Sequence, residues 1–236
     1  ITNNIYSLMV QTYDGQANTP PSRLEASGKY PAIFQKTAEG TPGESNNVFV
    51  QLGMYWQLHL AYDGADKPMD FYNRFFTAWK AGTYTKGMGE LSYDEKMALT
   101  ASGTAGKDLT EFFTRWGMRL GEPVKAKLAS YAKEPRALWY LSDQSRRERL
   151  NGTGAGSINQ LIRARLKEGS ANQVEISSAV RESSNIQGWE ILRDGKPIAF
   201  VTPEKVQGSL LYTDEIGTGN HLAFTYSVKT YDLLGN

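Results

Sequence analysis

The sequence predicts a multidomain α + β protein, with a mainly α-helical subdomain followed by an all-β sandwich. In the first part, apolar residues recur at helical spacing between capping residues and glycines. In the second part, short runs alternate between apolar and polar residues and are separated by turn signals. A glycine-rich segment near residue 151 separates the two patterns. We therefore predict a helical subdomain over 1–150, a junction over 151–169 and a sandwich over 170–236.

Helical spacing and capping signals define the elements of the first part in order. Ser92 and Glu95 have the spacing of a capping box, and Pro123 is suited to the first turn of a helix. Short connections rich in turn residues predict neighbouring, often antiparallel helices. The predicted helices are Ile1 to a stop at Asp14-Gly15, Tyr30–Lys36, Asn46–Tyr62, Phe71 to a stop at Gly82, one after Ser92, Asp108–Gly117, and Glu122–Tyr131.

The decapeptide from Asp108 to Gly117 carries signals for both ends of a helix. Asp108 is an N-cap candidate with Glu111 three residues later, and Gly117 can adopt the left-handed conformation that ends a helix. Its apolar residues fall on one stripe, which by spacing alone predicts a core helix. They are Leu109, Phe112, Phe113 and Trp116.

Short alternating runs define the second part. Asp194-Gly195 between two such runs is a β-hairpin signal. Many short strands with turns between them favour a β-sandwich. The predicted strands lie at Val174–Ile176, Trp189–Arg193, Ile198–Thr202, Leu210–Thr213 and Ala223–Tyr231.

Composition excludes several classes of function. The net charge of +1 gives no reason to expect a nucleic-acid partner. The absence of cysteine excludes a disulfide framework, a thiolate metal site and a cysteine nucleophile. No apolar run is long enough for a transmembrane segment, and no signal segment follows Ile1. The run Arg146, Arg147 and Arg149 is expected to be a solvated face.

Three segments resemble a known family over about residues 1–150. They are Thr2–Leu8 (TNNIYSL), Leu52–Leu58 (LGMYWQL) and Asp108–Gly117 (DLTEFFTRWG). They are similar to the downstream part of enhancin-like, gluzincin-type zinc metallopeptidases of family M60, which attack mucins and other O-glycosylated proteins. The resemblance implies that 1–150 is the helical C-terminal part of a metallopeptidase-like catalytic domain. Residues from about 170 to 236 resemble a fibronectin type III-like module, which identifies a fold and no activity.

The sequence departs from the family at its zinc site. The family carries His-Glu-x-x-His on a helix, which places two imidazoles on one face with the glutamate as general base. The two histidines here, His59 and His221, are far apart, and neither is followed by Glu-x-x-His. We therefore expect no catalytic residue and no metal ligand in this chain, which should be inactive alone. Zinc is expected only in the full-length parent.

Two asparagines are the first candidates for a role near the metal. In the family, the segment like Thr2–Leu8 follows the glutamate zinc ligand. If that glutamate directly precedes Ile1, then Asn3 and Asn4 lie at i+3 and i+4, on its helical face. They would then contact a metal ligand or the substrate. The alternative is that both cap a helix or face solvent.

Four further residues are candidates for the substrate cleft. Arg23 could pair with an acidic sugar or a peptide carboxylate, or be an ordinary surface residue. Tyr55 and Trp56 could line a sugar-binding cleft, although their spacing equally fits the core. His59 lies on the apolar side of its helix, where a hydrogen-bonded core histidine is the ordinary outcome.

The resemblance thus implies a C-terminal fragment of a secreted or cell-surface bacterial zinc metallopeptidase acting on mucin-like glycoproteins. Its helices would wall the substrate cleft, and the sandwich would be a spacer or would contact glycans or the cell surface. The alternative is a non-catalytic, adhesin-like fragment that binds glycans or proteins. A His-Glu-x-x-His motif encoded upstream of Ile1 would favour the enzyme.

Overall fold

A computed structural model describes residues 2–13, 21–40, 47–67, 69–156, 161–179, 185–203, 209–217 and 223–236. The described part of the first 150 residues is helical, as predicted. A 3₁₀ turn at Leu138–Tyr140 precedes the last helix. The helices are α1 (Thr2–Tyr13), α2 (Arg23–Ala26), α3 (Tyr30–Glu39), α4 (Val48–Tyr62), α5 (Asp70–Ala81), α6 (Tyr93–Ala105), α7 (Thr110–Arg115), α8 (Glu122–Leu128) and α9 (Asp143–Leu150).

The strands of the second part form two antiparallel sheets of three strands each. The order is β3-β4-β7 in one sheet and β6-β5-β8 in the other. A separate pair of two-residue strands, β1 and β2, is parallel and joins segments of the helical part. The strands are β1 (Lys107–Asp108), β2 (Ala132–Lys133), β3 (Leu161–Leu166), β4 (Gln173–Ala179), β5 (Ile186–Arg193), β6 (Lys196–Val201), β7 (Leu210–Glu215) and β8 (Tyr226–Asp232). The predicted fold class, helices followed by a β-sandwich, is confirmed.

Helix α4 is the centre of the helical part. Buried side chains occupy all of its faces, because α1, α3, α5 and α9 surround it. Gly53 permits a close approach of α3: a Cβ atom there would lie 2.8 Å from Cδ1 of Ile33 on α3. A larger residue at position 53 would therefore force the side chain of Ile33 to move. No helix in the described part of the chain has the length and apolarity needed to cross a membrane.

The two sheets enclose a second, smaller apolar cluster around Trp189 on β5. Ile176 and Leu210 contribute from one sheet, and Ile191 and Ala199 from the other. The predicted hairpin turn is confirmed between β5 and β6, where Asp194 and Gly195 have φ angles of 51° and 76°. Positive φ at both central residues matches the right-handed twist of the flanking strands.

Aromatic rings join the sandwich to the helical part. The ring of Phe200 on β6 stacks on Tyr140 at 3.9 Å between centroids and meets Phe34 of α3 edge-on at 5.2 Å. Tyr231 on β8 approaches Tyr140 at 5.0 Å. Phe200 therefore belongs to the helical core cluster rather than to the sandwich cluster. The division of the chain near residue 150 stays a prediction, and β3 begins within the predicted junction.

The start of α7 differs from the prediction. The helix begins at Thr110, and Leu109 rather than Asp108 precedes it without a side-chain cap. The Asp108 carboxylate instead accepts from the backbone N–H and the hydroxyl of Thr110, at 2.9 and 2.6 Å, and so closes a local turn. The predicted stop is confirmed, because Gly117 has a φ of 83° and the N–H of Met118 reaches the carbonyl of Phe113.

The arginine run near residue 146 is only partly the solvated face that the sequence predicts: Arg147 is exposed and pairs with Glu25 of α2, whereas Arg146 and Arg149 are engaged inside the fold. Arg146 is buried and donates to the carbonyl of Gly64 at 2.8 Å. Arg149 donates to the carbonyls of Leu60 and Asp63 at 3.0 and 2.6 Å. The carbonyls at the end of α4 have no partner within the helix, so guanidinium groups from α9 satisfy them. Helix α9 itself was missing from the prediction.

Other predicted ends agree with the structure or lie outside the described residues. The capping box of Ser92 and Glu95 opens α6, and Gly82 ends α5 in the left-handed conformation. The predicted stop of α1 at Asp14-Gly15 lies outside the described residues, as does His221.

Candidate functional site

Helix α1 presents a polar stripe to its surroundings. Ile5, Leu8 and Met9 are buried, which fixes the orientation of the helix. Asn3, Ser7 and Gln11, spaced four residues apart, are exposed. We call these three residues with Arg23 the α1 polar stripe.

Within this stripe, Arg23 is hydrogen-bonded to two side chains of α1. Its Nε donates to Oε1 of Gln11 at 2.8 Å, and its Nη2 donates to the hydroxyl of Ser7. The position of Arg23 is fixed because Ser22 caps the short helix α2 and is itself tied to Asp143 by a 2.6 Å hydrogen bond. A planar cation held in this way can pair with a carboxylate or receive hydroxyl oxygens of a ligand. The structure thus places Arg23 beside Ser7, which lies one helical turn from the predicted residue Asn3 on the same exposed face of α1.

Asn4 differs from Asn3 in its surroundings. It is partly buried, one position round the helix toward the buried Ile5 and Leu8, whereas Asn3 is exposed. If α1 faces a ligand, Asn3 therefore has the freer amide. Asn3 lies four residues before Ser7, so the two side chains lie on the same face of α1.

Trp56 lies in the core, where it supports Asp143. Its indole Nε1 donates to Oδ1 of Asp143 at 3.2 Å, while Ser22 and Tyr30 donate to Oδ2. Burial raises the pKa of the Asp143 carboxyl, and these three donors act against that rise. Asp143 therefore links α2, α3, α4 and α9 and indirectly positions Arg23.

His59 is fully buried and its Nδ1 lies 2.5 Å from Oδ2 of Asp63. Its ring packs on Trp56 at 4.4 Å between centroids. Burial lowers the pKa of His59 and outweighs the opposite effect of Asp63. The second carboxylate oxygen of Asp63 accepts from the backbone N–H of Phe71 at 2.7 Å. The hydrogen-bonded pair of His59 and Asp63 therefore connects the end of α4 to the start of α5.

Tyr55 lies at the boundary between the core and a surface cavity. It is 8% exposed, and its hydroxyl lies 3.2 Å from that of Tyr93. Burial raises the pKa of the Tyr55 phenol well above its usual range, so the hydroxyl is neutral. Its ring lines a cavity of about 210 Å³. Of the two predicted aromatic candidates, Tyr55 lines this cavity, whereas Trp56 is buried in the core.

The described residues do not provide a zinc site. No group of three or more His, Cys, Asp or Glu side chains within the described ranges could hold a metal ion. His59 is committed to Asp63 inside the core. A catalytic zinc needs three protein ligands and an open position, so the donor set seen in these ranges does not fit one.

The sequence patterns do not single out three residues that the structure places here: Ser7, Gln11 and Asp143. The spacing of Ser7 and Gln11 from Asn3 on one helix could have revealed the first two. Asp143 could not be found in this way, because its partners Ser22 and Trp56 lie 121 and 87 positions away.

Comparison with known protein families gives a match to the N-terminal part of the chain. Residues 1–117 match the family described as Peptidase M60, enhancin and enhancin-like. The enhancin-like resemblance is therefore confirmed for this region, which includes α1, α4 and α7. A comparison with curated proteins gives no match.

Solved structures from Clostridium perfringens share the fold over the whole chain. The M60 catalytic domain of ZmpC in complex with the sialyl T antigen has 24% identity and a TM-score of 0.65, covering 100% of this chain and 44% of that one. The catalytic module of the metalloprotease ZmpA has 24% identity and a TM-score of 0.64, covering 100% and 42%. The ZmpB metallopeptidase has 23% identity and a TM-score of 0.61, covering 100% and 44%. This chain thus spans less than half of each.

Proposed function

We propose that this chain is the C-terminal part of the catalytic region of a secreted bacterial zinc metallopeptidase that cleaves mucin-like glycoproteins. The observation that carries the proposal is the match of residues 1–117 to the M60 family, together with the position of the matching α1. The segment that resembles the sequence after the zinc-ligand glutamate forms α1, and this helix presents Asn3 and Ser7 outward beside Arg23.

In this proposal the zinc ligands come from a His-Glu-x-x-His segment and a glutamate outside these 236 residues. When bound, zinc would polarise the scissile carbonyl and activate water. The residues of this chain would bind and orient: Asn3 would hydrogen-bond a metal ligand or the substrate, and Arg23 would hold an acidic or hydroxyl group. The helices α1 and α4 would form one wall of the cleft.

We also propose that residues from about 170 onward are a fibronectin type III-like module. Two three-stranded antiparallel sheets around Trp189 support this assignment. Such a module would contact glycans or the cell surface, or act as a spacer. Its aromatic contacts with Tyr140 and Phe34 hold it close to the helices.

The test begins with the encoding gene. The chain is expressed alone and with upstream sequence that includes any His-Glu-x-x-His motif, and zinc content and mucin cleavage are measured for both. We expect one zinc per molecule and chelator-sensitive cleavage only in the longer protein. If no such motif is encoded, or if the longer protein binds zinc without cleaving glycoproteins, the enzyme proposal fails. Glycan or protein binding without cleavage would then support the adhesin-like alternative.

A further inference from the structure

A cavity of about 440 Å³ lies between the helical part and the sandwich. Phe34 of α3 and Gln144 of α9 belong to its helical wall, and Ile186 and Gln187 of β5 belong to the opposite wall. The volume falls within the range of about 300–1,000 Å³ that is typical of small-ligand sites. We call it the joint cavity. No residue that lines it belongs to the α1 polar stripe or lines the cavity beside Tyr55.

Gln187 supplies a hydrogen-bond donor to the joint cavity. The residue is 8% exposed, and its Oε1 accepts from the hydroxyls of Ser142 and Ser145 at 3.4 and 3.2 Å. Each of these hydroxyls accepts a backbone N–H in the capping box of α9, so its proton is available to Gln187. The side-chain amide is therefore oriented by α9. Its Nε2 group takes part in no hydrogen bond within the described part of the chain and is left for a ligand.

Thr202 adds a second unsatisfied polar group to the same wall. It follows β6 and is 4% exposed, and its hydroxyl has no hydrogen-bond partner among the described residues. Native proteins contain few such groups, because a buried polar atom without a partner is costly. Cavities that stay empty in proteins are apolar. The polar wall of the joint cavity is therefore suited to a polar occupant.

The joint cavity offers no unpaired charge to a ligand. Glu25 is the charged residue among the described residues that line it, and Arg147 donates to both of its carboxylate oxygens, at 2.8 and 2.6 Å. Burial raises the pKa of the Tyr30 phenol, which is also in the wall, so the phenol is neutral. A charged ligand would lose its hydration without gaining a partner ion. The site therefore favours an uncharged ligand.

A peptide group matches the hydrogen-bonding groups of this cavity. The Nε2 group of Gln187 only donates, so it needs an acceptor such as a carbonyl oxygen. Gln144 is exposed, and its side-chain amide, which can both donate and accept, makes no hydrogen bond within the described ranges. Phe34 and Ile186 add apolar surface for a side chain. A polyol would need acceptors for its many hydroxyl donors, and the carboxylate of Glu25 is already occupied.

We propose that the joint cavity binds a short uncharged peptide, with a carbonyl oxygen on Nε2 of Gln187 and an apolar side chain against Phe34 and Ile186. Such a ligand would contact α3, α9 and β5 together, so its binding should stabilise the joint between the helical part and the sandwich. This inference does not depend on the peptidase proposal, because the binding needs neither zinc nor residues outside this chain.

The experiment uses the 236-residue chain and a dipeptide of alanine and leucine with an acetyl group at its N-terminus and an amide at its C-terminus. Calorimetry and saturation-transfer NMR measure binding. We expect saturable binding that raises the melting temperature of the chain. The same dipeptide with free, charged ends should bind at least about tenfold more weakly, because its charges find no partner. Sorbitol, an uncharged polyol, should not compete.

Two variants and a control assign the binding to the joint cavity. Gln187→Glu keeps an oxygen that can accept from Ser142 and Ser145 but removes the N–H donors, and should weaken binding by about tenfold. Gln144→Ala changes an exposed side chain, so it should fold normally and weaken binding by about threefold. It decides the question if Gln187→Glu does not fold. Gln173→Ala removes a side-chain amide of β4 outside the cavity and should bind as the unsubstituted chain does.

Three results would overturn the proposal. The first is no binding at millimolar concentrations of the capped dipeptide, and the second is unchanged binding in Gln144→Ala and Gln187→Glu. The third is binding only by a longer peptide with the same dipeptide at its centre, which would indicate a groove for a protein segment. Failure of the peptidase proposal would appear instead as absent cleavage by the longer protein, and it would leave the binding of the dipeptide unchanged.

Discussion

Arg115 of α7 and Glu190 of β5 form an ion pair between the helical part and the sandwich. Nη1 of Arg115 donates to Oε1 of Glu190 at 2.7 Å, and the Glu190 side chain is fully buried. The hydroxyl of Tyr140 donates to the same oxygen at 2.6 Å. Burial opposes the charge of Arg115, but Glu190 raises the pKa of its guanidinium. The charge of Glu190 is therefore tolerated in the core because Arg115 of α7 pairs with it and Tyr140 donates a hydrogen bond to it.

The first prediction is that removing one charge of the buried ion pair destabilises the protein. Glu190→Ala removes the buried partner of Arg115, which keeps only the more distant Glu111 at 3.8 Å, and should lower the free energy of unfolding by about 3–5 kcal/mol. Because the pair spans both parts, we expect fluorescence and circular dichroism to report one coincident denaturant transition. A double-mutant cycle with Arg115→Ala measures the coupling.

A matched control tests whether the burial of the ion pair causes the expected loss of stability. Arg165 and Glu175 form an ion pair at the same distance, 2.7 Å, but the Arg165 side chain is 72% exposed. Glu175→Ala should therefore cost at most about 1 kcal/mol. Equal losses of unfolding free energy at positions 175 and 190 would contradict this prediction. So would separate unfolding transitions for the helical part and the sandwich, because the buried ion pair would then not couple them.

The second prediction concerns Phe112, which packs in the helical core with an exposed fraction of 2%. Phe112→Ala should lower the free energy of unfolding by about 3–5 kcal/mol, because it leaves a cavity beside Phe113, whose ring lies 5.1 Å away. Chemical denaturation measures the loss. Phe49→Ala is the control, since Phe49 is 39% exposed and should cost far less. Similar losses at both positions would show that α7 is not an anchor of the core.

The third prediction is a pH dependence from His59. Burial lowers its pKa in the folded protein, whereas the unfolded chain binds the proton near the ordinary pKa of about 6.5. Below that pH the unfolded state binds more protons, so stability should fall as the pH decreases from about 6.5 toward the folded pKa. Denaturation midpoints from pH 8 to 5 are the measurement.

Two substitutions isolate this effect. His59→Gln should flatten the dependence in that window, although it lowers stability overall because Asp63 loses a partner. His221→Gln should leave the dependence in place. If His221→Gln removes the dependence and His59→Gln does not, the assignment to the buried histidine is wrong.

The fourth prediction separates the two asparagines in the longer, zinc-containing protein. Loss of a residue that orients a metal ligand typically costs about 10–100-fold in affinity or activity. Asn3 shares the exposed stripe with Ser7 and Arg23, so Asn3→Ala should show this loss in kcat/KM or zinc affinity with little change in melting temperature. Asn4→Ala, whose side chain is partly buried, should affect stability more than turnover. If neither substitution changes kinetics, the α1 polar stripe has no role in catalysis.

Local sequence signals determined most of the helices and strands. Ser92 with Glu95, Gly82, Gly117 and Asp194-Gly195 act within a few residues, through caps and turns whose backbone conformations only certain side chains satisfy. Apolar periodicity likewise determined which face of α1 is buried, whereas α4 is buried on all of its faces because other helices surround it. The family resemblance of α1 and α7 is also a property of short, contiguous segments.

The tertiary structure decided the roles of charged and polar residues. The sequence predicts that Arg146 and Arg149 are solvated because they belong to a short basic run, yet they satisfy carbonyls at and just after the end of α4, about 85 positions earlier. The meeting of Glu190 with Arg115, and of Asp94 with the cavity beside Tyr55, likewise depends on packing between distant segments. A buried charge is stable only beside a partner that the fold brings to it, and no spacing along the chain encodes that encounter.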